Sequence, residues 1–116
     1  KRNGIGWKVP SMRQHKYRAV ATELDGKKFP SKKEARRWQE LRLLERAGEI
    51  KCLQHQVKYD LTANSQHICF YIADFHYWDE RTTAWVVEDA KGVLTPVYRL
   101  KKKLMKVLLG IEIQEV

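Results

Sequence analysis

The segment "FPSKKEARRWQELRLLERAGEI", residues 29–50, constrains the fold more than any other part of the chain. Ser31 followed three residues later by Glu34 is a capping-box pattern, which predicts the first turn of a helix. Gly48 marks the expected end of that helix. Apolar residues recur between these limits at helical spacing on one side, namely Ala35, Trp38, Leu41 and Leu44, and Leu43 widens the stripe. The segment therefore predicts an amphipathic helix.

Three β-like runs follow this helix. Residues 49–61 place apolar side chains among polar ones, and the runs "HICFYIADFHYW" and "TAWVVEDAK" are rich in aromatic and β-branched residues. The segments "TANSQ" and "DERT" between them are typical of turns. We therefore expect three consecutive strands.

A second helix and a final short strand are predicted for the rest of the chain. Thr95 and Pro96 form an N-cap and N1 pair, and Gly110 marks the end of the helix. The apolar residues expected to face a core are Val97, Leu100, Leu104, Val107 and Leu108. The segment "IEIQE" alternates like a strand, and because a helix precedes it, the sheet is expected to be mixed.

The N-terminal part predicts two further features. Asp25-Gly26 is a strong turn signal between two β-like segments, so a hairpin is expected from residue 17 onward. Residues 1–16 mix Gly, Pro, Gln, Ser and bases and are typical of a basic flexible arm. The predicted fold is therefore α/β: one domain over residues 17–116, with the hairpin followed by helix, three strands, helix and strand. A chain of 116 residues suits one such core.

Charge is the most informative feature of the composition. Lys and Arg number 23 against 14 Asp and Glu, and residues 1–18 and 99–106 contain bases and no acid. Such clusters attract phosphate backbones, which favours nucleic acid as a partner, although a solvated basic surface is the simpler alternative. Cys52 and Cys69 lie in apolar runs and are expected to be reduced core residues of a cytoplasmic protein. No stretch is apolar enough for a membrane span or a secretory signal, so no membrane partner is expected.

The run "WVVEDAKG", residues 85–92, joins an apolar strand to two acids and a lysine. Because side chains alternate across a strand, Asp89 and Lys91 share one face and Glu88 belongs to the other. If the preceding strand is a neighbour, its Asp74 could converge with Asp89 near the strand ends. Two such carboxylates suit Mg²⁺, and acid, acid and base around a metal suit phosphodiester hydrolysis. The pattern alone fits an exposed ion pair equally well.

Four short motifs occur in order along the chain. They read Phe29-Pro30-Ser31-Lys32-Lys33-Glu34-Ala35, Tyr71-Ile72-Ala73-Asp74-Phe75, Val86-Val87-Glu88-Asp89-Ala90-Lys91-Gly92 and Tyr98-Arg99-Leu100-Lys101-Lys102-Lys103-Leu104. Together they resemble the PD-(D/E)XK nuclease superfamily, and within it a group of small phage-borne proteins. The resemblance covers residues 17–116 and implies a restriction-endonuclease-like core.

This resemblance also implies roles for individual residues. Asp74 and Asp89 would be the metal-binding carboxylates, Lys91 the catalytic lysine and Glu34 an additional acid from the first helix, with Mg²⁺ or Mn²⁺ as cofactor. Ala73 replaces the proline that names the superfamily, a position without a chemical role. Asp89 stands where Glu is commoner, and the adjacent Glu88 is the alternative ligand.

The implied activity is that of an endonuclease acting on double-stranded or branched DNA, similar to Holliday junction resolvases. By analogy this implies phage DNA processing in a bacterial host cell and a homodimer. DNA contacts are expected from the second helix and the arm, at Tyr98, Arg99, Lys101, Lys102, Lys103, Lys106, Arg13, Lys16 and Arg18. The main alternative is a non-catalytic DNA-binding module with the same basic surface, and a third is a nuclease that acts on RNA.

Overall fold

A computed structural model describes residues 22–90 and 94–116 of the chain, which divides into two compact units with the boundary between Ala35 and Arg36. In the first unit, strands β1 (Thr22–Leu24) and β2 (Lys27–Phe29) pair antiparallel. Asp25 and Gly26 join them with φ angles of 53° and 74°, the left-handed conformation that a two-residue hairpin turn requires. The hairpin is confirmed for these residues, while residues 17–21 and the proposed arm lie outside the described ranges.

Helix α1 spans Lys32–Arg46, close to its predicted limits. At its start, the backbone N–H of Glu34 donates to Ser31 Oγ at 3.1 Å, and Gly48 follows its end with a φ of 80°. Ser31 and Gly48 were sufficient to predict the two ends of α1, because each acts within one turn of the helix. The apolar stripe is shorter than predicted, since Ala35, Trp38 and Leu41 are buried whereas Leu43 and Leu44 are exposed.

The second unit contains a four-stranded sheet in the order β3-β4-β5-β6, formed by Ile50–Ala63, Gln66–Asp79, Ala84–Asp89 and Ile113–Glu115. The first three strands are antiparallel neighbours, and β6 runs parallel to β5. Helix α2 (Pro96–Leu109) makes the crossover that a parallel pair needs. The predicted α/β order and the mixed sheet are confirmed.

The two helices contact opposite faces of this sheet. On one face, Trp38 of α1 stacks on Phe75 of β4, with ring centroids 6.3 Å apart. On the other face, α2 contributes to the buried cluster of Leu61, Tyr71, Ala73, Val87, Tyr98, Met105 and Ile113. In the described part of the chain, no helix is both long and apolar enough to cross a membrane.

Helix α2 buries a different stripe from the one predicted. Tyr98 and Met105 face the sheet and are 6% and 0% exposed, whereas Val97, Leu100 and Val107 are exposed, so the prediction was wrong for these three. Leu104 and Leu108 are partly buried against the cluster. Because apolar residues occupy more than one side of this helix, its sequence does not fix which side meets the sheet.

Two residues of apolar runs lie outside the core, and for Cys52 the prediction was wrong. Trp85 is 57% exposed at the start of β5, while Val86 and Val87 are buried. Cys52 is exposed and has a φ of 57° in an irregular part of β3, where the pairing register shifts. Cys52 and Cys69 are both free thiols, as predicted.

Candidate functional site

The register of the sheet brings Asp74 and Asp89 to the same place. The last pair between β4 and β5 toward the end of β5 is Phe75 with Glu88, so the next step along both strands is Asp74 and Asp89. Asp74 Oδ2 accepts a hydrogen bond of 2.8 Å from the backbone N–H of Ala90, the residue after the strand. The carboxylate of Asp74 therefore lies beside the carboxyl end of β5.

The alternation of side chains in β4 is interrupted at Asp74. Ala73 belongs to the cluster on the α2 face, whereas Phe75, two residues later, stacks on α1. The neighbouring strand is irregular at the same level, because Gln56 has a φ of 60°. Its side-chain amide approaches Asp74 Oδ1 at 3.5 Å. An irregularity of this kind can redirect a functional side chain, and here it falls on one of the proposed ligands.

Asp89 is a buried acid on the α2 face of the sheet. It is 1% exposed, and the hydroxyl of Tyr71 donates to its Oδ2. A carboxylate removed from water in this way requires hydrogen bonds or a cation. Asp89 is therefore positioned by the sheet and by Tyr71, with its charge inside the protein.

Asp74 and Asp89 both affect the pKa values of Tyr71 and Tyr98. Burial raises the pKa of Tyr71, and the negative charges of Asp89 and Asp74 raise it further. Burial also raises the pKa of Tyr98, to which the hydrogen bond with Glu115 and the charges of Asp89 and Asp74 add. Both carboxylates therefore lie near enough to Tyr71 and Tyr98 to raise their pKa values.

Glu88 faces the other side of the sheet, where Arg37 and Tyr77 hydrogen-bond to its carboxylate. Arg37 of α1 donates from Nε to Glu88 Oε1 at 2.8 Å and from Nη2 to Oε2 at 2.7 Å, and the Tyr77 hydroxyl donates to Oε2. This pairing holds the pKa of Arg37 above its ordinary value, and burial together with Glu88 raises the pKa of Tyr77. The expected separation of Glu88 from Asp89 is confirmed, and Glu88 forms a buried bidentate ion pair.

The other two residues proposed for catalysis are Lys91 and Glu34. Lys91 lies outside the described residues. Glu34 belongs to the first unit, where it is 3% exposed in the first turn of α1. The roles suggested for Lys91 and Glu34 stay predictions.

Helix α2 presents most of the proposed DNA contacts. Arg99, Lys103 and Lys106 are exposed, and together with Lys102 they line a groove of about 260 Å³. Lys102 Nζ lies 2.8 Å from Glu115 Oε2, and Lys106 Nζ lies 3.3 Å from Glu112 Oε2. Glu112 and Glu115 therefore neutralise part of the positive charge on this side of α2.

The remaining proposed contacts differ in accessibility. Lys101 is half-buried. Tyr98 is 6% exposed and donates its hydroxyl to Glu115 at 2.8 Å, so it has little surface to offer to DNA. Arg13 and Lys16 of the proposed arm, and Arg18 just after it, fall outside the described ranges.

Asp74 and Asp89 have the chemistry of a magnesium site. Both supply hard oxygen donors, and protein-bound Mg²⁺ commonly takes one or two carboxylates while water and phosphate oxygens complete its octahedron. Within residues 22–90 and 94–116, no group of three or more His, Cys, Asp or Glu residues is arranged to hold a metal ion.

Sequence reasoning missed the side chains that support the acids. Arg37 lies 51 residues from Glu88, and no local pattern connects the two. Tyr71 opens the motif that contains Asp74, but its hydroxyl contacts Asp89, 18 residues away. The sequence contained one indication of these partners, an apolar strand that ends in two acids. A buried carboxylate requires a hydrogen-bond donor or a cation, so partners for these acids were to be expected.

The second unit is thus a small α/β structure in which the register of β4 and β5 leads to Asp74 and Asp89 at the carboxyl end of β5. The chain belongs to the family described as "Protein of unknown function (DUF1064)", which it matches over residues 14–110. No curated protein and no solved structure matches the chain.

Proposed function

We propose that the protein is a metal-dependent DNA endonuclease with a restriction-endonuclease-like core, in which Asp74 and Asp89 hold Mg²⁺ or Mn²⁺. The observation that carries the proposal is the strand register that leads to Asp74 and Asp89 at the end of β5, where Asp74 accepts a hydrogen bond from the N–H of Ala90. The ion pair between Arg37 and Glu88 supports this choice of ligand. Because Glu88 faces the α1 side of the sheet, Asp89 is the acid at the end of β5 that faces the α2 side.

The residues of this site have separable tasks in the proposed reaction. The backbone N–H of Ala90 and the amide of Gln56 orient Asp74, and Tyr71 orients Asp89. A divalent cation bound there would make hydroxide available near neutral pH and polarise the scissile phosphate. Lys91 would stabilise negative charge on that phosphate, as the resemblance implies.

The fold and the basic helix support DNA as the substrate. The order of helix, three antiparallel strands, helix and parallel strand is the one that the nuclease resemblance implies. Arg99 and Lys103 on α2 are exposed cations in the same unit as the two acids, and they would bind phosphates of the substrate. Branched DNA in a phage-infected bacterial cytoplasm, cut by a homodimer, is the setting that the resemblance implies.

The direct test is cleavage of labelled linear, flapped and four-way-junction DNA with Mg²⁺ or Mn²⁺. Activity should disappear with EDTA. Because a catalytic metal contributes several kcal/mol, Asp74→Asn and Asp89→Asn should each lower the rate at least about 100-fold while DNA binding persists. Asp60→Asn is the matched control, since Asp60 is an exposed acid of β3 that contacts His67, and it should cut normally.

A non-catalytic DNA-binding module is the second candidate, and one observation favours it. Both oxygens of Asp74 and one oxygen of Asp89 accept hydrogen bonds from the protein itself, so a structural role is available to these acids. In that case purified protein would bind DNA but cut no substrate with either metal. Matched RNA substrates in the same assay would identify a nuclease that acts on RNA.

A further inference from the structure

A second feature of the same sheet face is a pocket beyond the C-terminal end of α2. Gln54, His76 and Trp85 of three adjacent strands line it on the sheet side, and Gly110, Glu112 and Gln114 line it on the side of the chain end. Its volume is about 680 Å³, within the range of pockets that hold small organic groups. The two aspartates and the cations proposed to bind phosphate do not line it.

Trp85 gives this pocket an exposed aromatic surface. Its side chain is 57% exposed although it lies in a strand of the sheet. The ring is supported edge-on by His76 at 4.9 Å and by Trp78 at 5.3 Å between centroids. A large exposed indole held by two aromatic neighbours is an orientated stacking surface that loses little conformational freedom when a flat ligand binds.

His76 is held in position by a neighbour of its own. Its Nδ1 lies 2.5 Å from the hydroxyl of Tyr59, and the two rings stack with 8° between their planes. The imidazole of His76 also lines the pocket, and a ring nitrogen of histidine can donate or accept a hydrogen bond. Gln54 and Gln114 add exposed amides, each of which both donates and accepts.

The basic groove of α2 and this pocket are adjacent, because Glu112 lines both of them. The groove carries Arg99, Lys102, Lys103 and Lys106. A cationic groove beside an aromatic pocket with amide and imidazole groups matches a nucleotide strand, in which phosphates alternate with flat, hydrogen-bonding bases. A paired base inside a duplex cannot present its face to such a pocket.

We propose that the pocket of Gln54, His76, Trp85 and Glu112 binds one unpaired nucleobase of DNA, stacked on Trp85, while the adjacent backbone follows the basic groove. The inference rests on the proposed function in taking DNA as the ligand, but it does not require cleavage. It assigns the protein a preference for DNA that contains unpaired nucleotides, such as a flap, a bulge or a junction with open bases.

The test is fluorescence anisotropy in EDTA with two labelled duplexes of equal length, one fully paired and one with a short unpaired thymine flap. Wild-type protein should bind the flapped duplex more tightly. Trp85→Ala should weaken binding of the flapped duplex by roughly 5- to 150-fold, the range expected for loss of one stacked base, and leave the paired duplex unchanged. Trp85→Phe should restore most of the preference.

Phe70→Ala is the matched control, because Phe70 is an aromatic residue of the same sheet, 43% exposed, that does not line the pocket. It should bind both duplexes like wild type. Equal weakening of both duplexes by Trp85→Ala, or no weakening of either, would overturn the proposal.

A second measurement covers the case in which Trp85→Ala does not fold. Wild-type protein is irradiated with a flap that contains 5-iododeoxyuridine, and the cross-linked peptide is identified by mass spectrometry. Attachment at Trp85 or His76 supports the pocket, and attachment confined to other residues contradicts it. Cleavage with Mg²⁺ but without flap preference would reject only this inference, whereas flap preference without cleavage would reject only the nuclease.

Discussion

Replacement of Glu88 by glutamine should destabilise the protein strongly. Two donors of Arg37 and the hydroxyl of Tyr77 converge on the two carboxylate oxygens of Glu88, which is 1% exposed. A glutamine amide offers one oxygen and one NH₂ group, so in either orientation at least one of these donors faces another donor. The substitution removes the charge of a buried pair and leaves an unmatched polar group.

The magnitude follows from the two parts of this loss. Breaking a buried ion pair costs about 3–5 kcal/mol, and because the Arg37 side chain is 25% exposed and keeps some hydration, we expect about 2–4 kcal/mol. At about 4–8 °C per kcal/mol for a small domain, the melting temperature should fall by about 8–32 °C. Thermal and urea unfolding followed by circular dichroism measure both quantities.

Glu40→Gln is the matched control for this prediction, because Glu40 bonds the same arginine at 2.9 Å but is 54% exposed. Its effect should stay below about 1 kcal/mol, as for other exposed ion pairs. A Glu88→Gln protein that melts within a few degrees of wild type but loses divalent-ion binding would refute the assignment of Glu88 as a structural residue and of Asp89 as the ligand.

Three further results are expected. Thr95→Ala removes the oxygen that accepts from the Tyr98 N–H at 3.1 Å, so urea unfolding should show a loss of about 1 kcal/mol, and Thr62→Ala, at an exposed site, should show less. Burial raises the pKa of Tyr59 to about 12. The stability that depends on its protonated hydroxyl is therefore complete below the ordinary tyrosine pKa and is lost as the pH rises toward 12. Tyr59→Phe should reduce this loss of stability at alkaline pH, measured as unfolding at several pH values. Arg99→Gln combined with Lys103→Gln should weaken binding of paired and flapped DNA alike and reduce the slope of log K against log salt by about 2, and an unchanged slope would exclude these phosphate contacts.

Signals that act within one turn of the chain were readable from the sequence. Ser31 and Thr95 mark helix starts through bonds to an N–H three residues ahead, and Gly110 adopts the left-handed φ of 69° that ends α2. The alternation within β5 also separated Glu88 from Asp89 correctly, because it depends only on the strand being regular.

Features that depend on distant partners were not readable. The change of side at Asp74 coincides with the left-handed Gln56 on the neighbouring strand, which no pattern in the sequence of β4 contains. The orientation of α2 depends on the fit of Tyr98 and Met105 into the sheet, and apolar residues on several sides made other orientations equally plausible. Trp85 resembles a core residue by type, but it is 57% exposed at the start of β5.

Divalent-ion binding tests the central claim most directly, since every proposed step depends on Asp74 and Asp89 meeting in one site. Titration calorimetry with Mn²⁺ should be performed on wild-type protein, Asp74→Asn, Asp89→Asn and the Asp60→Asn control. We expect wild type and Asp60→Asn to bind alike and the other two variants to lose at least about 10-fold in affinity. Equal binding by all four proteins, or absence of binding by wild type, would contradict the proposed metal site.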